Sequence, residues 1–204
     1  LLASSAASDV YKRQHLKSEM DKQIGYAGSF DGMITEYKGN NPIYMSAEQK
    51  AEAKKYQDIF FSAVSTWKTA NADKLLTFQG YPENLIEQTI LTNCKHIILA
   101  TDNVTDDAQL SVFARLAMAA AGVPTDRFVV AVSTASLDAS DKQTGFYGTD
   151  RALTEAAYWI TEPSDGYTRA GLAIYNVQND YYNATNTYQY VKAAINIMNP
   201  APKK

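Results

Sequence analysis

Short apolar runs alternate with longer amphipathic segments along most of the chain. Five apolar runs predict β-strands, at residues 30–37, 73–79, 96–101, 127–133 and 169–175. The central strands are apolar at successive positions rather than at every second one, which is typical of parallel strands covered on both faces. The repetition therefore predicts an α/β protein built from successive strand–helix units.

The amphipathic segments predict five helices, at residues 46–71, 82–93, 105–121, 150–160 and 184–198. The first helix has a clear start, because Ser46 followed by Gln49 matches the capping-box pattern. Its predicted inner face repeats every three or four positions and comprises Tyr56, Phe60, Val64 and Trp67. Gly122 directly follows the third predicted helix, at the position where glycine commonly ends a helix.

Two architectures fit this alternation: an open doubly wound sheet, or part of an eight-stranded (β/α)₈ TIM barrel. No glycine-rich phosphate loop follows any predicted strand, which removes the commonest reason to prefer the open sheet. No linker, low-complexity tract or block of charge divides the 204 residues, and this length suits one domain.

Composition excludes several classes of function. A net charge of −3 gives no electrostatic basis for binding nucleic acid. One cysteine, Cys94, and two histidines are too few for a metal cluster, so we expect neither metal nor cofactor. Cys94 precedes an apolar strand and is predicted to be a buried small hydrophobe. No apolar run approaches the roughly 20 residues that span a bilayer.

The first fourteen residues, LLASSAASDVYKRQ, are treated separately. They lack the apolar core of a signal peptide, and they resemble translated sequencing-adapter sequence. We expect residues 1–14 to lie outside the fold and residues 15–204 to form a partial domain whose natural N-terminus is missing.

Polar side chains follow the carboxyl ends of the predicted strands, which is where both architectures place their sites. They are Glu36, Lys38, Gln79, Thr101, Asp102, Ser133, Tyr175, Asn176 and Gln178. A lining rich in amides, hydroxyls and aromatic rings suits neutral polyhydroxylated ligands, which are oriented by hydrogen bonds and ring stacking.

The stretch from Asp31 to Lys38, DGMITEYK, resembles the fourth barrel strand of glycoside hydrolase family 18, whose signature is D-G-x-D-x-D-x-E. The run from Gly171 to Tyr175, followed by Asp180, is similar to the last strand of that family, with Tyr in place of Trp. The likeness covers residues 30–198 and is greatest to a divergent Bacteroidetes branch of chitinase-like and endo-β-N-acetylglucosaminidase-like proteins from glycan-utilisation systems. It implies the C-terminal portion of a TIM barrel, about five βα units, with three units missing before it.

The resemblance also implies a chemistry in which the N-acetyl oxygen of the sugar attacks the anomeric carbon while the last Glu of the signature protonates the leaving oxygen. Here Lys38 occupies that acid position, Glu36 replaces an Asp and Ile34 replaces another. Residues two apart in a strand share a face, so these three point into the barrel and Asp31 points away. A lysine with a pKa near 10.4 is a poor general acid, and it favours an ion pair with Glu36.

This pattern implies a barrel that recognises N-acetylglucosamine-containing glycans, such as N-glycans, with hydrolysis lost or impaired. Three alternatives stay open: an active glycosidase in which Glu36 is catalytic, a structural Glu36–Lys38 pair without a ligand, and a doubly wound domain for another small ligand. The implied substrate-binding residues are Asp31, Glu36, Lys38, Gln79, Asp102, Tyr175, Asn176 and Gln178. The family likeness further implies secretion, or location at the outer-membrane surface or in the periplasm, with a lipid anchor as the one route to a membrane.

Overall fold

The computed structural model describes residues 31–101, 107–133, 150–162, 166–181 and 187–201, together with Gln14 and Ser18. The chain divides into two compact units, Leu1–Ile97 and Ile98–Lys204.

Five strands form one sheet: β1 (Gly32–Tyr37), β2 (Leu75–Gly80), β3 (His96–Leu99), β4 (Phe128–Ser133) and β5 (Gly171–Tyr175). Their order in the sheet is their order in the chain, and β1 pairs with β2, and β4 with β5, in parallel. Barrels place successive strands side by side, whereas doubly wound sheets reverse at a switch point. The prediction of a TIM-barrel-type α/β fold is confirmed, and the open-sheet alternative is wrong.

The described helices are α1 (Ala47–Ala70), α2 (Asp107–Ala121), α3 (Asp150–Thr161), α4 (Gln178–Tyr181) and α5 (Gln189–Met198). Short 3₁₀ helices lie at Pro42–Tyr44, Pro82–Asn84, Thr89–Asn93 and Thr125–Arg127. Gly122, with φ of 62°, ends α2 as predicted. The predicted start of this helix, at Thr105, lies outside the described residues.

The continuous helix predicted at residues 82–93 is wrong. Two 3₁₀ helices occupy the segment, and Leu85 between them has extended backbone and a buried side chain. The Ile86 N–H donates to Gln57 Oε1 over 2.9 Å instead of to a carbonyl of its own segment. A side chain of α1 therefore takes the place of the hydrogen bond that would continue a helix.

The last predicted helix begins later than residue 184, at Gln189. Tyr188 directly before it has φ of 58°, in the left-handed region. This conformation is incompatible with a continuous right-handed helix.

Helix α1 begins as predicted, because Ser46 and Gln49 form the reciprocal capping box. Its inner face is only partly as predicted. The buried residues are Gln57, Ile59, Ala63, Val64 and Trp67, whereas Tyr56 is 53% exposed. The buried stripe thus starts one position later than its aromatic residues suggest, and it includes a glutamine.

The two faces of the β1–β2 pair differ in burial. Thr35 and its register partner Phe78 are buried, on the face where Tyr37 packs edge-on against Phe61 of α1 with ring centroids 5.9 Å apart. On the other face Ile34 is 59% exposed. Glu36 and Gln79, which are also register partners, lie on this second face.

The two strands approach closely at both ends of their pairing. A Cβ at Gly32 would meet the carbonyl oxygen of Leu75, and a Cβ at Gly80 would meet the carbonyl oxygen of Tyr37. Gly80 also has φ of 149°. Glycine at these positions therefore sets the register that places Glu36 opposite Gln79.

The second unit is built on β4, of which every residue except Val129 is buried. Leu153, Ala156 and Ala157 of α3 are also buried, and α3 packs against α5 and β5.

In the part of the chain that the structure describes, no helix is long and apolar enough to cross a membrane.

Candidate functional site

Glu36, Lys38 and Gln79 form the first polar cluster, at the carboxyl ends of β1 and β2. The Lys38 ammonium lies 2.9 Å from Glu36 Oε1, and Gln79 Nε2 donates to the same oxygen over 3.2 Å. The register explains this convergence, because Glu36 and Gln79 are direct partners and Lys38 lies two positions beyond Glu36. The structure therefore brings together three of the predicted site residues.

The electrostatics of this cluster keep Glu36 ionised. Its hydrogen bond with Lys38 lowers the pKa of the Glu36 carboxyl, and the Lys38 charge and the Gln79 bond act in the same direction. Desolvation of the carboxyl opposes these effects but does not reverse the lowering of its pKa. The predicted ion pair is confirmed, and at neutral pH the carboxylate accepts hydrogen bonds rather than donating a proton.

Asp31 is not part of this cluster. It is exposed just before β1, and its backbone carbonyl accepts from the Leu75 N–H at 2.8 Å. A strand rises about 3.3 Å per residue, so Asp31 and Glu36 are about 16 Å apart along it. Ile34 occupies the same face as Glu36 but offers no polar atom to a ligand.

Tyr175, Asn176 and Gln178 lie together at the carboxyl end of β5, in the second unit. Asn176 Nδ2 donates to Ser133 Oγ over 2.9 Å, and Gln178 Nε2 reaches Asn176 Oδ1 at 3.5 Å. Asn176 has φ of 57°, a left-handed conformation that asparagine tolerates better than most residues. Tyr175 is half-buried and pairs with Ser133 in register. This second cluster presents an aromatic ring and exposed amides.

Thr101 does not line a site. It is buried, and its hydroxyl donates to the Ala131 carbonyl over 2.7 Å while accepting from the Ala131 N–H at 3.0 Å. The Thr101 hydroxyl therefore satisfies both backbone groups of Ala131 in β4. The neighbouring candidate, Asp102, lies outside the described residues.

Asp180, the acidic residue that follows β5, has a structural role. It is fully buried, and its carboxylate accepts from the backbone N–H groups of Tyr190 at 3.2 Å and Val191 at 2.8 Å. These groups lie at the start of α5, where N–H groups have no partner within the helix. Asp180 therefore caps α5 from an earlier helix.

Glu83, which the sequence did not single out, follows β2 in the 3₁₀ helix Pro82–Asn84. Its Oε2 is buried without a hydrogen-bond partner among the described residues. Burial raises the pKa of the Glu83 carboxyl, although a bond with its own backbone N–H opposes part of the change. The neighbouring Asn84 side chain donates to the Gly39 carbonyl, which joins the segments that follow β1 and β2.

The segment after β1 borders a pocket of about 500 Å³ that the sequence also did not indicate. The signal was present as Asn40-Asn41-Pro42-Ile43-Tyr44, a polar turn followed by an aromatic residue directly beyond a site strand. By its composition alone this run predicts only a turn. Among the described residues, no three His, Cys, Asp or Glu side chains come together as metal ligands.

A family model described as glycoside hydrolase family 18, BT1044-like, matches residues 4–197. Two crystal structures of an endo-β-N-acetylglucosaminidase from Cordyceps militaris resemble the chain. One is a double mutant in complex with fucosyl-N-acetylglucosamine-Asn, with a TM-score of 0.63; the other is the apo form, with a TM-score of 0.61.

Both structures are 13% identical to this chain, and the match covers 94% of it. The match covers 64% of each neighbour, so the chain spans less than two thirds of their length. No curated protein matches the sequence significantly.

Proposed function

Since the chain belongs to glycoside hydrolase family 18, we propose that it recognises N-acetylglucosamine-containing glycans, such as N-glycans, without hydrolysing them efficiently. The proposed binding groups are Glu36, Lys38 and Gln79 at the ends of β1 and β2. Tyr175, the last residue of β5, is proposed to contribute a ring face, and Asn176 and Gln178 are proposed to contribute amides.

The ion pair between Lys38 and Glu36 carries the proposal. Substrate-assisted glycoside cleavage needs a proton donor at the leaving oxygen. At the family's acid position stands Lys38, whose ordinary pKa of about 10.4 makes it hold its proton. Glu36 has a lowered pKa and has already lost its proton at neutral pH. Loss of a general acid typically costs about 10²–10⁴ in rate.

The same three side chains are suited to binding a sugar. The Gln79 amide and the Lys38 ammonium are hydrogen-bond donors, and the Glu36 carboxylate accepts from hydroxyl or acetamido N–H groups. Glu36 and Lys38 are about half exposed, at 53% and 43%, so a ligand can reach them. The structural neighbour in complex with fucosyl-N-acetylglucosamine-Asn supports the proposed ligand class.

A glycan ligand also motivates the proposed location. N-glycans and chitin-like polymers occur outside the cytoplasm, so we expect secretion or attachment to the cell surface through a lipid anchor. Fractionation of the source cells, followed by immunodetection, tests this expectation.

Binding and hydrolysis are to be measured on the same samples. Isothermal titration with chitobiose and with an Asn-linked N-glycan gives affinity, and mass spectrometry of the recovered glycan detects cleavage. We expect binding without measurable turnover. Lys38→Ala and Gln79→Ala should each weaken binding about 3- to 10-fold, the range for losing one hydrogen bond to a sugar.

Lys95→Ala is the matched control, because Lys95 is exposed at the opposite end of the strands, just before β3. Its binding should equal that of the wild type. Turnover that Glu36→Gln abolishes would establish the active-enzyme alternative. If neither chitobiose nor the N-glycan binds, the result would instead favour a structural Glu36–Lys38 pair with no ligand.

A further inference from the structure

The pocket after β1 is bordered by the turn that follows the strand and by the first three turns of α1. It measures about 500 Å³, and its lining residues are Asn40, Asn41, Tyr44, Met45, Gln49, Glu52, Ala53 and Tyr56. A volume of this size is in the range of small-ligand sites. All of these residues belong to the first unit.

Two consecutive caps hold the rim of this pocket in place. Asn41 Oδ1 accepts from the Ile43 N–H at 2.9 Å and thereby caps the 3₁₀ helix Pro42–Tyr44. Directly afterwards, Ser46 N–H donates to Gln49 Oε1 over 2.8 Å, and Gln49 N–H donates to Ser46 Oγ over 3.3 Å. The backbone at Tyr44 therefore lies between two fixed points.

Tyr44 is nevertheless 87% exposed. A large aromatic ring on a fixed backbone, with so little of its surface covered, is available to a ligand. Binding at this ring costs little backbone entropy, because the backbone beneath it is already constrained.

The chemistry of the lining points to a neutral polar ligand. Amides come from Asn40, Asn41 and Gln49, and phenol rings come from Tyr44 and Tyr56. Glu52 supplies a carboxylate, and no lysine or arginine is among the described residues that line the pocket, so an anionic ligand such as a phosphate is disfavoured. Amides that bond hydroxyl groups and rings that stack on sugar faces suit a saccharide.

The pocket is continuous along the chain with the cluster at the end of β1. Asn40 is two residues beyond Lys38, so their Cα atoms are no more than about 7 Å apart. We propose that this pocket is a second saccharide subsite, which binds a further sugar of the glycan whose N-acetylglucosamine contacts Glu36 and Lys38. This inference rests on the proposed function and extends it from one sugar to an oligosaccharide.

Ligand length provides the test. Titration calorimetry compares chitobiose with two longer probes that contain the same disaccharide, chitotetraose and an Asn-linked biantennary N-glycan. We expect at least one longer probe to bind about 3- to 10-fold more tightly than chitobiose, the gain associated with one additional aromatic contact. Tyr44→Ala should remove this gain and leave chitobiose binding unchanged.

Ile43→Ala is the matched control. Ile43 lies in the same 3₁₀ helix and is 80% exposed, but it does not line the pocket. Its length dependence should equal that of the wild type, and circular dichroism confirms that both variants fold.

The possible outcomes separate the two claims. Equal affinity for short and long probes, or a gain that Tyr44→Ala leaves intact, overturns the subsite while glycan recognition stands. Failure of all three probes to bind overturns glycan recognition itself, and the subsite with it.

Discussion

Restoration of the family signature on β1 tests whether the lack of a general acid at position 38 is what prevents glycoside hydrolysis. The substitutions Ile34→Asp, Glu36→Asp and Lys38→Glu convert residues 31–38 to D-G-x-D-x-D-x-E. All three side chains are 43–59% exposed. Exposed substitutions usually change stability by about 0.5 kcal/mol or less each, so we expect the triple variant to fold.

The ion pair gives the size of the electrostatic change. Lys38 Nζ lies 2.9 Å from Glu36 Oε1, and an exposed pair of this kind contributes about 0.2–1 kcal/mol. Substitution of Lys38 by Glu replaces this attraction with a repulsion of similar size. The introduced carboxyl never makes this attraction, so only the repulsion, about 0.2–1 kcal/mol, acts on its pKa. The sign is upward, so the introduced carboxyl retains its proton closer to neutral pH, as a general acid requires.

The assay is hydrolysis of chitotetraose, whose sugar leaving group needs protonation, followed from about pH 4 to pH 8, with glycan release from a glycopeptide as a second substrate. We expect the triple variant to exceed the wild type by about 10²–10⁴-fold, with a rate that falls as the acid deprotonates at high pH. Leu75→Glu is the matched control. It adds a carboxylate to the same face at the opposite end of β2, where Leu75 is 46% exposed, and should produce no activity.

One result would refute this reasoning. If the folded triple variant still binds chitobiose but turns over no faster than the wild type, the missing acid is not what limits this strand. Wild-type turnover that depends on Glu36 would refute it from the other direction.

Two further predictions concern stability. Burial raises the pKa of Glu83, so its stabilising contribution is present below the ordinary carboxyl pKa and is lost as pH rises through the folded-state pKa. Glu83→Gln should therefore stabilise the protein at pH 8 by about 0.5 kcal/mol and leave its stability unchanged at pH 4. This value is smaller than the cost of burying a carboxylate completely, because the Glu83 side chain is partly exposed to solvent. Urea titrations at both pH values measure this, with the exposed Glu52→Gln as control, and equal effects at both pH values would contradict it. Asp180→Ala should remove the cap of α5 and cost about 1–2 kcal/mol, a drop of roughly 2–8 °C in melting temperature, without changing glycan affinity. Weaker binding in a variant of unchanged stability would show instead that Asp180 contacts the ligand.

Much of the fold was predictable because its signals are local. The capping box at Ser46 and Gln49 uses atoms three residues apart, and Gly122 ends α2 through its own backbone conformation. The apolar strands follow from the need to cover both faces of a parallel sheet. The alternation within β1 placed Glu36 and Lys38 on one face, and the ion pair followed from their spacing.

Other elements depended on partners far away in the chain. Gln57 is buried because it bonds Tyr37 and Asn84 and accepts from Ile86, and it thereby prevents the continuous helix predicted at residues 82–93. Asp180, which contributes to the family likeness of the last strand, is buried because its carboxylate accepts from backbone N–H groups at the start of α5. In both cases a polar side chain forms hydrogen bonds with backbone groups of another segment. The pattern within its own segment therefore does not reveal this role.

The sequence by itself thus determined the strand–helix repeat, the family likeness, and the lysine at the family's acid position. Only the tertiary structure decided that Gln79, 43 residues from Glu36, donates to the same carboxylate oxygen as Lys38, and that the turn after β1 borders a pocket. The physical reason is the separation along the chain between the groups that interact. Helix caps and strand faces are set by hydrogen bonds and steric limits within a few residues, whereas the register of β1 against β2 is set by where the two backbones can approach, at Gly32 and Gly80.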